Sequence, residues 1–110
     1  MGRHRIGSVA ATEEAIVRLG RHITTARMRR AWRQEDLAQK AGIHPNTLRK
    51  VESGAPGTAI GAYAAALWAL GLHEQLAEVA RPDRDDEGET LAAARLGERA
   101  RASTTLDDNF

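Results

Sequence analysis

The chain contains no cysteine. That absence excludes a disulfide framework, a thiolate zinc site and a cysteine nucleophile, and it fits a reducing compartment. Aromatic side chains are scarce too: Trp32, Tyr63, Trp68 and Phe110 are the whole set, and alanine is the largest contributor to the 42% apolar content. Small side chains of this kind predict thin, close-packed helices. No apolar run approaches the ~20 residues that a bilayer span needs, and the N-terminus has no apolar signal core, so the expected location is the cytoplasm. No sequence repeat with a period of ~20 residues or more is present, which sets solenoids aside. Walker, GxSxG and dinucleotide-binding patterns are missing as well, and neither catalysis nor a cofactor is expected.

What is present amounts to one small domain with tails, since 110 residues are too few for two good cores. The net charge of +1 hides a division within the chain. Through Lys50 there are 11 Lys+Arg against 4 Asp+Glu, a balance of +7, whereas from Val51 onward there are 5 against 11, a balance of −6. Such an asymmetry suggests a front half that meets a polyanion, with an ordinary solvated surface as the bland alternative.

Residues 1–11 carry two early glycines and no apolar stripe, and read as a flexible basic arm. From Thr12, a possible N-cap followed by Glu13 and Glu14, the spacing of Ile16, Leu19, Ile23 and Ala26 predicts a helix ending near Arg30. Two short helices follow, Gln34 to Ala41 and one opening at Pro45, separated by the turn signal Gly42-Ile43-His44. Gly54 stops the second. The run Thr58 to Leu72 is apolar all round, so it is expected to be buried all round, with one face on the core and another on a partner chain. A segment from His73 to Ala80 closes a domain spanning residues 12–80; an acidic linker at 81–89 leads to a last helix and tail at 90–110.

Residues 34–54, QEDLAQKAGIHPNTLRKVESG, resemble the helix-turn-helix of the phage-repressor-like (XRE/Cro-type) transcriptional regulators. Each part has a physical reason. Ala38 is small where two helices cross, Gly42 supplies left-handed backbone at the turn, and Leu37, Ile43, Leu48 and Val51 tie the second helix to the core. The resemblance extends from about Leu19 to Leu76 and implies an all-α fold: a five-helix lambda-repressor-like DNA-binding domain, here with an extra C-terminal helix. It also implies a symmetric dimer on duplex DNA with a near-palindromic operator, and a scaffold ion pair between Arg27 and Glu52.

In that arrangement the helix from Pro45 to Ser53 lies in the major groove, led by its N-terminal residues. Gln34 opens the preceding helix, where it can meet a phosphate or a base. Asn46 can offer a donor and an acceptor to adenine, Thr47 can touch a thymine methyl or a phosphate, and Arg49 and Lys50 can bind guanine or the backbone. His44 stands where the family often has Ser or Thr, so it either points to a phosphate or serves as a weaker cap. Arg30 and Arg33, with Arg29, are phosphate clamps or a solvated helix end. Trp32 reads as a core plug. Tyr63 and Trp68 read as core or dimer-interface residues, and with Leu67 and Leu70 they are the candidates for the dimer interface.

Two metal-like patterns fail on inspection. Asp83, Asp85, Glu87 and Gly88 match the start of a calcium loop, but its twelfth position is Ala94 in place of a bidentate glutamate. The histidines at 4, 22, 44 and 73 have no metal-ligand spacing, and no metal is expected. Beyond Leu70, the acidic linker with Gly88, Leu91, Arg95, Arg99 and Arg101 is similar, in composition and a few spacings, to the ends of HipB-like antitoxins encoded beside HipA-like kinases. This implies a toxin protein as a second partner. Leu106 and Phe110 are either anchors for that partner or part of a frayed end.

Overall fold

A computed structural model describes the backbone of residues 5–108 and the side chains of residues 9–103. Among these it contains five α-helices and no strand: α1 (Arg5–Arg29), α2 (Gln34–Ala41), α3 (Pro45–Ser53), α4 (Ile60–Ala69) and α5 (Asp86–Asp108). Two short 3₁₀ segments, His73–Glu78 and Pro82–Arg84, lie between α4 and α5. The expected all-α class is therefore what forms. Two compact units divide between Leu76 and Ala77.

The first unit is built on one core. Ile23 from α1, Leu37 and Ala38 from α2, Leu48 and Val51 from α3, and Tyr63, Ala66, Leu67 and Leu70 from α4 and its end are all buried. Ile16, Leu19, Ala26, Trp32, Ile43, Leu72 and Leu76 pack around them. The periodic apolar stripes that predicted α1 to α3 are the faces that meet here.

The four helices of this unit stop in the same way. After α1 the N–H of Ala31 bonds to the Met28 carbonyl and that of Trp32 to Arg27; after α2, Gly42 bonds to Gln39 and Ile43 to Ala38. The pattern recurs at Gly54 and Ala55 after α3, and at Gly71 and Leu72 after α4. These paired bonds are the Schellman arrangement, which satisfies carbonyls that a helix end leaves open and demands left-handed backbone at the first residue beyond it. Three of those residues are glycine, and the fourth is Ala31 at φ 57°.

Several boundaries differ from the sequence reading. α1 begins at Arg5, so Arg5 to Ala11, expected within a flexible arm, continue the helix; residues 1–4 lie outside the described set. Thr12 is consequently interior to α1 and does not cap it. Once Ile16 to Ala26 is packed, each added residue costs little, because propagation is cheap after nucleation. α4 starts at Ile60 with Ala59 at its N-cap, so Thr58 does not cap it. Nor is α4 buried all round: α2 and α3 cover one side, while Ile60 is 71% and Trp68 60% exposed. The expected fifth helix of the domain is a single 3₁₀ stretch, His73–Glu78.

In the second unit α5 begins four residues earlier than expected and runs through Asp108. Asp85 starts it: its Oδ1 accepts the Gly88 N–H at 3.0 Å and its carbonyl accepts that of Glu89 at 3.0 Å. The acids of the linker thus sit at a helix N-terminus, where the helix dipole favours them. Among the described residues no cluster of His, Asp and Glu could hold a metal ion, and no helix is long and apolar enough to cross a membrane.

Candidate nucleic-acid interface

α2 and α3 are held as a pair by their buried faces. Leu37 and Ala38 of α2 and Leu48, Val51 and Glu52 of α3 are buried, so the opposite face of α3 is left outside. That face carries Asn46, Arg49, Lys50 and Ser53, all exposed and spaced three, one and three residues apart, one stripe of a helix. Pro45 and Thr47 flank the stripe, half-buried.

The start of α3 is fixed by His44. Its ring Nδ1 accepts the Asn46 backbone N–H at 3.0 Å, which makes the histidine a true N-cap and leaves its Nε2 side exposed. Pro45 follows at the first helical position, where its missing N–H costs nothing. Within the exposed stripe, Arg49 Nη2 donates to Asn46 Oδ1. Arginine and asparagine are therefore one unit, one turn apart.

Behind the helix lies the expected ion pair, in two-pronged form. Arg27 Nε donates to Glu52 Oε2 at 2.7 Å and Nη2 to Oε1 at 3.1 Å, and Nη1 reaches the Trp32 carbonyl at 2.8 Å. Gln34 joins this network, its amide donating to Glu52 Oε1 at 3.0 Å. The side chain expected to reach a phosphate or a base thus also bridges the start of α2 to the end of α3.

The remaining expected site residues are dispersed. Arg33, exposed, sits beside Asp36 with 3.5 Å between Nε and Oδ2, and its backbone N–H donates to the same carboxylate oxygen at 2.8 Å. These contacts hold the Asp36 carboxyl below its ordinary range, the backbone bond first and the Arg33 side chain second. Arg30, exposed at the end of α1, donates through Nη1 to Ala26 O at 2.7 Å and through Nη2 to Leu70 O at 3.0 Å, so it braces the ends of α1 and α4. Trp32 packs against the core as expected, with the Lys40 ammonium 4.8 Å from its ring centroid.

The interface set needs correction. Tyr63, Leu67 and Leu70 are buried in their own chain's core, because α4 turns that side towards α2 and α3, and only Trp68 of the four faces out. Ile60, two turns before Trp68 on the same ridge, is exposed as well; a helix apolar on every side gives no sequence signal for which side is covered. Asp36 was missed as well, since the capping pattern normally starts with Ser or Thr and here starts with Arg33.

The sequence profile of a helix-turn-helix domain matches residues 18–80, more than half of the chain. The chain belongs to that family of DNA-binding domains. Neither the curated proteins nor the solved structures include a match. In this helix-turn-helix protein the matched span contains both helices of the motif, α2 and α3, the Arg27–Glu52 brace and α4, and it ends at Ala80.

Proposed function

We propose that the protein is a sequence-specific transcriptional repressor that binds duplex DNA as a homodimer, with α3 in the major groove. The observation that carries this reading is the division of α3: Leu48, Val51 and Glu52 are buried, while Asn46, Arg49 and Lys50 stand exposed on the opposite face of the same nine-residue helix. A cationic, hydrogen-bonding stripe on a rigidly backed helix suits base edges and phosphates together. Lys50 and Arg33 supply charge for the phosphates, and Thr47 flanks the stripe.

The homodimer reading is supported by Ile60, Ala64 and Trp68, which form one ridge of α4 whose two large members are exposed. A second copy of the chain packing ridge to ridge would cover them and bring two α3 helices to half-sites ~34 Å apart on a near-palindromic operator. A second role, capture of a toxin protein by an antitoxin-like tail, is favoured by the exposed Leu91 and Leu96 of α5. A HipA-like kinase is the partner class to test.

The deciding experiment is a salt titration of binding to an operator duplex. A dimer on six to ten phosphates should lose ~10³ to 10⁵ in affinity between ~50 and ~200 mM salt. The triple alanine replacement of Asn46, Arg49 and Lys50 should weaken binding and reduce that slope. An unchanged affinity and slope in a folded triple variant would sink the groove assignment. Trp68→Glu should shift sedimentation towards the monomer; a variant still dimeric would place the interface elsewhere.

A further inference from the structure

Acceptors on the first turns of α3 are already engaged inside the protein. His44 Nδ1 takes the Asn46 backbone N–H at 3.0 Å, and Asn46 Oδ1 takes an Arg49 N–H. What the helix presents outward is a row of mostly donors. With Nδ1 accepting, the neutral His44 ring carries its proton on Nε2; Asn46 keeps its amide hydrogens, Arg49 its other N–H groups and Lys50 its ammonium. The Thr47 hydroxyl can serve as either, and Asn46 Oδ1 keeps one lone pair.

The major-groove edges differ in what they ask of such a row. Guanine shows two acceptors, N7 and O6, and no donor; adenine shows N7 beside a donor amine; cytosine shows a donor. An asparagine reads adenine by using both ends of its amide, one accepting and one donating. Asn46 already accepts from Arg49 with one of the two lone pairs on that oxygen, which ties its amide to the arginine. The same bond holds a long, exposed arginine in one orientation, so less side-chain entropy is lost when its remaining N–H groups fork onto a base.

We propose that α3 reads guanine: Arg49 forks onto the N7 and O6 edge, and Asn46 is the positioning residue that aims it, not a reader of adenine. This rests on the groove assignment above and names its specificity. Lys50, a flexible point charge, falls to the phosphates.

The test begins with selection of the full chain on a pool of duplexes with a random core. Enrichment of an invariant guanine in each half-site is expected. Replacing that guanine by 7-deazaguanine, which lacks the N7 acceptor, should cost roughly fivefold to a hundredfold in affinity. Arg49→Lys should lose the preference at that position, and Asn46→Ala should relax it. Asn46→Asp should retain it, because an aspartate still accepts from Arg49, though at lower overall affinity. Circular dichroism on each variant confirms folding. An invariant adenine whose recognition is lost in Asn46→Asp and kept in Arg49→Lys overturns the guanine reading and leaves the groove assignment standing. No enrichment at all overturns both.

Discussion

Arg27 and Glu52 face each other across the first unit, joined by bonds of 2.7 and 3.1 Å, with side chains only 13% and 5% exposed. The pair fastens the end of α1 to the end of α3, and through Trp32 and Gln34 it reaches the turn between α1 and α2 as well. Desolvation makes such a pair a modest net stabiliser, yet removing one member strands the other charge. Arg27→Met should therefore cost ~3 to 5 kcal/mol in urea unfolding, whereas Arg27→Met combined with Glu52→Leu should recover much of it. A loss below ~1 kcal/mol for the single variant would mean that water reaches Glu52 freely.

Ala31 is the one non-glycine among the four residues that end the helices of the first unit in left-handed backbone. An L-residue pays ~1 to 2 kcal/mol for that conformation, and Ala31 is exposed, with no packing to lose. Ala31→Gly should stabilise by ~0.5 to 1 kcal/mol after allowing for glycine's freer unfolded chain, raising Tm by a few degrees. A lower Tm would show that the unfolded-state entropy outweighs the relieved strain.

These two sites mark what was legible beforehand. Motif spacing located α2 and α3 to the residue, and the resemblance supplied the Arg27–Glu52 pair, because local turn chemistry and family pattern are both written in adjacent residues. Ala31 was not legible: its neighbours Arg30 and Trp32 carry no turn signal, and its backbone follows from where α2 must dock. The same holds for α4, whose buried Tyr63 and exposed Trp68 are both aromatic and differ only in which helices lie opposite. The brace made by Arg30 was not legible either, because its acceptor, Leu70 O, is forty residues away.

Gly20 illustrates a second kind of hidden constraint. A Cβ there would lie 2.6 Å from the carbonyl oxygens of Val51 and Glu52, so α1 and α3 touch backbone to backbone. Gly20→Ala must push the two helices apart, and overpacking of this sort costs ~1 to 3 kcal/mol or more. The end of α3 would shift, so loss of operator affinity should accompany the loss of stability. Gly61→Ala is the control, since its Cβ would meet nothing within 4 Å.

Asp36 makes acid sensitivity of α2 testable. Its carboxyl is held below the ordinary range by the Arg33 backbone N–H and side chain, so the folded state favours the ionised form. The resulting stability is fully present above the ordinary aspartate value of ~3.9 and is lost as pH falls through the lowered folded value. Wild type should melt higher than Asp36→Asn at neutral pH, and the gap should close in strong acid. A gap that persists unchanged in acid would mean that the carboxylate charge contributes nothing to this end of α2.

Tyr63 poses the opposite case, a polar atom with nothing to bond. Its ring fills the core at 5% exposure, while its hydroxyl is buried with no hydrogen-bond partner among the described residues. Burial pushes the phenol above its ordinary value by penalising the phenolate. The neutral form is favoured by folding, so the stability tied to it is whole below the ordinary tyrosine value of ~10 and is lost as pH rises through the raised folded value. Tyr63→Phe keeps the ring and deletes the orphaned hydroxyl. It should be neutral or stabilising by up to ~1 kcal/mol near pH 7, and the advantage should grow in strong alkali. Tyr63 is the single tyrosine of the chain, so its ultraviolet titration can be followed without interference from another phenol. A destabilisation above ~1 kcal/mol would reveal a bonding partner for the hydroxyl in solution.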